Sequence, residues 1–154
     1  MLDAPHIALT AAQATAVIHL TIPRADIRTV MGPGIQELMA AVAAQGIATA
    51  GPWFTHHLRM APDIFNFEIG VPVAAPVAPA GRVTPGLLAA ATVARTTYRG
   101  GYEGLPAAWR EFDAWITANG HTPAPDLMEC YVAGPESGAD PAAWQTQLVR
   151  PLGG

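Results

Sequence analysis

Two stretches of this chain, 7–46 and 81–120, overlay without a gap, and each carries the same succession of patterns. Each opens on an extended segment rich in Ala, Val, Ile, Leu and Thr ("HIALTAAQATAVIHLTIP" and "TPGLLAAATVARTTY"), passes into a helical period and closes on a glycine, Gly46 or Gly120. Beyond the glycines "WFTHH" falls on "LMECY" and "IGVPV" on "LVRPL". Few residues are identical, Thr10/Thr84, Glu37/Glu111 and Ala44/Ala118 among them, so the match is one of element order and length. The expected fold is α+β: duplicated βαββ modules with pseudo-twofold symmetry, forming a curved antiparallel sheet with two helices and a central ligand cleft. The alternative is an α+β domain whose halves are alike by chance.

The elements can be bounded from spacing. A first helix spans about 24–45, with Met31, Ile35, Leu38, Met39 and Val42 at three- and four-residue intervals. "GPGI" at 32–35 interrupts it, so its regular part is expected from Pro33. "WFTHHL" and "IFNFEIGVPV" read as a hairpin joined through "RMAPD". The proline-rich "AAPVAPAG" marks a linker over 74–80, between half-repeats of about 5–73 and 81–152. A second helix covers about 104–118 with Leu105, Ala108, Phe112, Trp115 and Ile116 inward, and "DLMECYV" and "WQTQLVRPL" follow as strands.

Composition narrows the function classes. With 154 residues, 51% apolar and 13% charged, the chain suits one globular domain. A net charge of −4 argues against direct nucleic-acid binding, which needs basic patches. No apolar run reaches the roughly 18 residues of a membrane span, and "MLDAPHIALT" lacks the basic and apolar regions of a signal peptide, so a cytoplasmic location is expected. The one cysteine, Cys130, excludes an internal disulfide and a Cys-rich zinc site. His56 and His57 are adjacent in a strand and point to opposite faces, so no metal site and no cofactor is expected. "GGYEG" lacks the Lys–Ser/Thr pair of a phosphate loop.

Glu129 stands out as a carboxylate inside the apolar run "DLMECYVAGP". Either it points to water from a half-buried strand, or it lines a cavity. Strand alternation puts Leu127, Glu129 and Tyr131 on one face, and on the overlay Thr55 and His57 are the counterparts of Glu129 and Tyr131. Trp109 and Trp115 lie six residues apart on the second helix; this spacing separates them, with Trp115 inward and Trp109 at a flank or an interface. Cys130 alternates away from Glu129 and reads as a buried small residue.

Taken together, "GPWFTHH", "FNFEIGVPV", "YRGGYEGLPAAWREFDAWITANG", "ECYVAGP" and "TQLVRPL" resemble, in order and spacing, the GyrI-like small-molecule-binding domain. That family includes the effector-binding domains of multidrug-responsive transcription activators and the gyrase-inhibitory protein. The resemblance covers essentially the whole chain and implies paired βαββ modules around a pocket for bulky, often cationic, aromatic compounds, with an acid at its base. It assigns that acid to Glu129, with Tyr131 and Tyr102 beside it and Trp53 or Phe54 as a wall. His57, Met39 and Trp115 complete the expected ligand-binding set. Three positions depart from the family pattern: Met128 where Trp is common, Gln147 where an acid is often found, and His57 where Tyr is common. No helix-turn-helix segment is apparent, so a stand-alone form is expected.

The resemblance implies, first, binding or sensing of hydrophobic aromatic or cationic small molecules. A second implication is hydrolysis of cyclopropane-bearing, DNA-alkylating compounds, with Glu129 activating water and Tyr102 or Tyr131 hydrogen-bonding the conjugated carbonyl. A third is interaction with DNA gyrase or a transcription regulator.

Overall fold

The computed structural model describes residues 2–60, 63–133, 140 and 143–153. Its element order is β1 (His6–Thr10), β2 (Gln13–Pro23), α1 (Ile27–Ala44), β3 (Phe54–Met60), β4 (Ile64–Pro72), β5 (Thr84–Leu88), β6 (Ala91–Arg99), α2 (Leu105–Ala118), β7 (Thr122–Pro123), β8 (Leu127–Ala133) and β9 (Gln145–Gly153). This is an α+β chain whose strand pairings are antiparallel. It divides into two compact units, Ala11–Ala90, and Met1–Thr10 with Ala91–Gly154.

In the unit Ala11–Ala90 the strand order is β5-β2-β4-β3. Ala16 and Ile18 of β2 and Phe67, Ile69 and Val71 of β4 turn to the face that α1 covers with Leu38 and Val42. α1 begins at Ile27, preceded by a 3-10 turn over Arg24–Asp26, and runs through Pro33. The expected start near Pro33 is therefore corrected. An interior proline forfeits one backbone bond and costs about 3 kcal/mol, but burial of Leu38 and Val42, at roughly 1.5–3 kcal/mol for a large apolar side chain, offsets it. The stretch read as a linker is irregular and packed: Val77 is 5% exposed, and the Gln45 side chain bonds both the N–H and the C=O of Ala78. Ala61 and Pro62 of the expected "RMAPD" turn lie outside the described residues, as do Gly134 and Pro135 of "ECYVAGP".

In the second unit the order is β1-β6-β9-β8, with β7 paired to β9. Leu105, Ala108, Phe112 and Ile116 of α2 bury against Ala94 and Tyr98 of β6 and Leu148 of β9. Both helices end alike. The N–H groups of Gly46 and Ile47 bond the carbonyls of Ala43 and Val42, and those of Gly120 and His121 bond Thr117 and Ile116. Gly46 has φ 68° and Gly120 φ 80°, the left-handed turn that glycine adopts without strain.

Each unit thus contains strand, helix, strand, strand with one further edge strand, and the second unit adds the two-residue β7. The first long extended segment divides: β1 pairs with β6, so it belongs with the later half of the chain, whereas β5 pairs with β2. Beyond the glycines the overlay, its last segment shifted by five residues, agrees with the pairing register: Thr55 lies opposite Ile69 and Glu129 opposite Leu148. It slips by four residues in the first strand: Ile18 lies opposite Ile69, and its counterpart opposite Leu148 is Thr96, not Thr92.

Candidate functional site

The second unit gathers the polar and aromatic side chains around Glu129. Its sheet register sets two rows across β6, β9 and β8: Thr96–Leu148–Glu129 and Tyr98–Thr146–Tyr131. Alternation sends both rows to the face occupied by α2, because Leu148 and Tyr98 belong to the cluster that α2 packs on. The run "LMECYV" therefore delivers a carboxylate and a phenol, two residues apart, beneath a helix.

Both carboxylate oxygens are engaged. The indole Nε1–H of Trp109, on α2, donates to Glu129 Oε2 at 2.7 Å, and the Tyr131 hydroxyl donates to Oε1 at 2.7 Å. Burial pushes the Glu129 carboxyl above its ordinary value, and the bonds from Tyr131 and Trp109 hold it partly back. Among the described residues no basic side chain contributes to holding the charge. Aromatic rings extend from this centre: Tyr102 meets Tyr131 edge-on at 5.9 Å and Trp144 at 5.1 Å, and Trp109 lies 5.8 Å from Phe112. The arrangement offers a charge acceptor, hydrogen-bonding groups and aromatic surface, and among the described residues no three His, Cys, Asp or Glu side chains gather as metal ligands.

Of the expected site residues, Glu129, Tyr131 and Tyr102 come together here. Trp115 is half-buried on α2 against the same apolar cluster. Trp53, Phe54, His57 and Met39 belong to the other unit. There Trp53 packs half-buried on the core, Phe54 is 1% exposed, and Met39 on α1 is 36% exposed. His57 stacks on Phe67 at 5.2 Å with Phe65 at 5.4 Å, while His56, on the opposite face, has Nδ1 3.8 Å from Glu68 Oε1. Cys130 is half-buried on the face away from Glu129, and burial pushes its thiol up to about 11.

Sequence reasoning missed two residues. Trp109 is not at a flank: it reaches the carboxylate. Its six-residue separation from Trp115 misled, whereas its spacing of four from Leu105 and three from Phe112 placed it over the buried face. Trp144 shares alternation with Thr146 and Leu148, but it precedes the regular strand and carried no other signal.

The family profile of the GyrI-like small molecule binding domain matches residues 5–152. A comparison with curated protein sequences finds no significant match. Among solved structures, the C-terminal domain of EcmrR is similar at a TM-score of 0.85 and 19% identity, over 97% of each chain. This chain spans only 57% of the EcmrR chain seen in a complex with DNA. SAV2435, solved with tetraphenylphosphonium bound, is similar at a TM-score of 0.73 and 14% identity, over 99% of this chain and 95% of that one. A hydrolase encoded by lin2189 from Listeria innocua is similar at 0.66 and 11% identity, over 97% of this chain and 91% of that one. At such identities the structures establish a shared fold. The match over 5–152 establishes the family: the chain belongs to the GyrI-like small-molecule-binding domains.

Proposed function

We propose that this protein binds bulky aromatic, often cationic, small molecules with Glu129 as the counter-charge, for sequestration or sensing. The observation that carries the reading is a half-buried carboxylate with two neutral hydrogen-bond donors, aromatic rings beside it and, among the described residues, no basic partner. A cation supplies what such a group lacks, and Tyr131, Tyr102 and Trp144 add ring faces for stacking and cation–π attraction. SAV2435, a relative, is solved with such a cation, tetraphenylphosphonium. Trp115, half-buried on α2 against the same apolar cluster, is proposed as a further contributor to binding. EcmrR carries this fold in a longer chain engaged with DNA, so supply of a ligand signal to a transcription regulator is the corresponding proposal here; DNA gyrase is the alternative partner.

The test is a fluorescence titration of wild type and Glu129→Gln with tetraphenylphosphonium, both proteins checked for folding by circular dichroism. Wild-type binding weakened tenfold or more in the variant, about 1.4 kcal/mol, supports the reading. Equal affinities, or none, overturn it.

A second reading is hydrolysis, favoured by the 2.7 Å bond between Glu129 and a tyrosine and by the relative named a hydrolase. Glu129 would take a proton from water as its oxygen attacks a cyclopropane carbon. The breaking C–C bond would send its electron pair to the conjugated carbonyl, hydrogen-bonded by Tyr131 or Tyr102, and the proton taken up by Glu129 would return to the resulting enolate, restoring the carboxylate. Incubation with a cyclopropane-bearing conjugated ketone, followed by mass spectrometry, should show addition of one water, lost in Glu129→Gln. Unaltered compound overturns this reading.

A further inference from the structure

Glu129 presents two oxygens, and each already accepts a 2.7 Å hydrogen bond from a neutral donor. Among the described residues it has no counter-charge, and two of its roughly four accepting positions are taken. These conditions separate two kinds of cation of equal charge. A quaternary ammonium or phosphonium brings charge without donors and can sit against the carboxylate and the neighbouring rings with both bonds intact. A protonated amine brings N–H groups that lose water on burial and must find acceptors. At Glu129 the three N–H groups of a primary ammonium outnumber the roughly two positions that Trp109 and Tyr131 leave open.

The two resident donors differ in how they meet that competition. The Tyr131 hydroxyl can rotate and accept from an incoming N–H, since a phenol is both donor and acceptor. The Trp109 indole is donor only, so it cannot yield by reversing its role. Nor is it free to swing away: it stands on α2 between the buried residues Leu105, Ala108 and Phe112 and half-buries its own ring against them. We infer that Trp109 is a specificity-determining residue, which by holding Glu129 Oε2 turns the site toward lipophilic cations without hydrogen-bond donors and against protonated amines. This rests on the binding reading above and adds a discrimination that the reading does not contain.

The experiment uses two fluorescent probes with one ring system, pyrenylmethyl-trimethylammonium and pyrenylmethylammonium, titrated near neutral pH into wild type, Trp109→Phe and Glu129→Gln. The methyl groups bring an apolar advantage in every protein, so the readout is the change in the ratio of the two affinities between proteins. The expected result is a wild-type preference for the trimethylammonium probe that falls at least fivefold in Trp109→Phe, chiefly through tighter binding of the primary ammonium. If Trp109→Phe fails to fold, the benzothienyl analogue of tryptophan at position 109 keeps the ring shape and removes only the N–H. A ratio unchanged by loss of the N–H overturns the inference, and the binding reading survives if Glu129→Gln weakens both probes. Wild type binding neither probe overturns both.

Discussion

The Trp109 indole and the Glu129 carboxylate, 20 residues apart in the chain, meet at 2.7 Å because α2 lies on the sheet face to which β8 turns its glutamate. One side chain therefore reports on the other. Tryptophan emission, taken as wild type minus Trp109→Phe, should change as pH falls through the raised carboxyl pKa of Glu129. Glu129→Gln should abolish the change. A difference signal that titrates only at ordinary carboxylate values would contradict the burial assigned to this group.

The same burial sets a stability signature. Glu129 titrates above its reference value of 4.5 in the folded protein, so the folded state holds its proton at pH values where the unfolded chain has released it. The carboxyl's contribution is therefore unfavourable at neutral pH. It grows in size as pH rises from 4.5 to the folded value, by about 1.4 kcal/mol per pH unit, and vanishes below 4.5. Glu129→Gln should be more stable than wild type at neutral pH in the absence of ligand and equal to it in acid. Its amide oxygen accepts from Trp109, and its NH₂ can donate to a rotated Tyr131 hydroxyl. Urea denaturation at several pH values checks this.

Core truncation should separate packing from the site. Phe112→Ala removes a fully buried ring from the α2 cluster and is expected to cost about 3–5 kcal/mol. Ile116→Val should cost about 0.5–1.5 kcal/mol. Chemical denaturation at one pH measures both, and a loss below 1 kcal/mol for Phe112→Ala would show that α2 is not packed as described.

Gly120→Ala tests the helix ending. A Cβ there would meet no atom within 4 Å, so crowding contributes nothing, and the cost arises from placing alanine at φ 80°. The expected loss is about 1 kcal/mol, and Gly46→Ala, equally open at φ 68°, should lose a similar amount. Thermal denaturation of the two variants gives the comparison.

Arg150 joins three parts of the second unit. Its Nε donates to the Ala124 carbonyl at 3.0 Å, and Nη1 lies 3.6 Å from Asp113 Oδ1 on α2. Burial raises the Asp113 carboxyl and Arg150 holds it partly back. Arg150→Met should destabilise by about 1–3 kcal/mol through the carbonyl left behind. Asp113→Asn should change stability by no more than about 0.5 kcal/mol, since Asp113 is 37% exposed and solvent screens the pair. Equal losses for the two would assign the effect to the ion pair instead.

Most of the element pattern was legible locally. Leu105, Ala108, Phe112 and Ile116 mark a buried helical face by spacing alone, and Gly46 and Gly120 mark where the helices stop. Glu129 and Tyr131 declared a shared face through strand alternation. Pro33 misled, because a proline's local cost says nothing of the burial that outweighs it. The partner of β1 was not legible: an edge strand pairs through backbone groups, which are common to every sequence.

Periodicity and turn chemistry are carried by neighbours in the chain, and for that reason the strand–helix–strand–strand order and the placing of Glu129 among apolar residues follow from the amino acids alone. Whether that carboxylate faces water or is enclosed depends on what arrives from elsewhere in the chain. Trp109 from α2 and Tyr102 from the turn before it complete its surroundings, as does Trp144 from the approach to β9. Hydrogen bonds of 2.7 Å and the loss of hydration that shifts a carboxyl are properties of packed, non-local neighbours, and only the folded arrangement of β8, β9 and α2 supplies them.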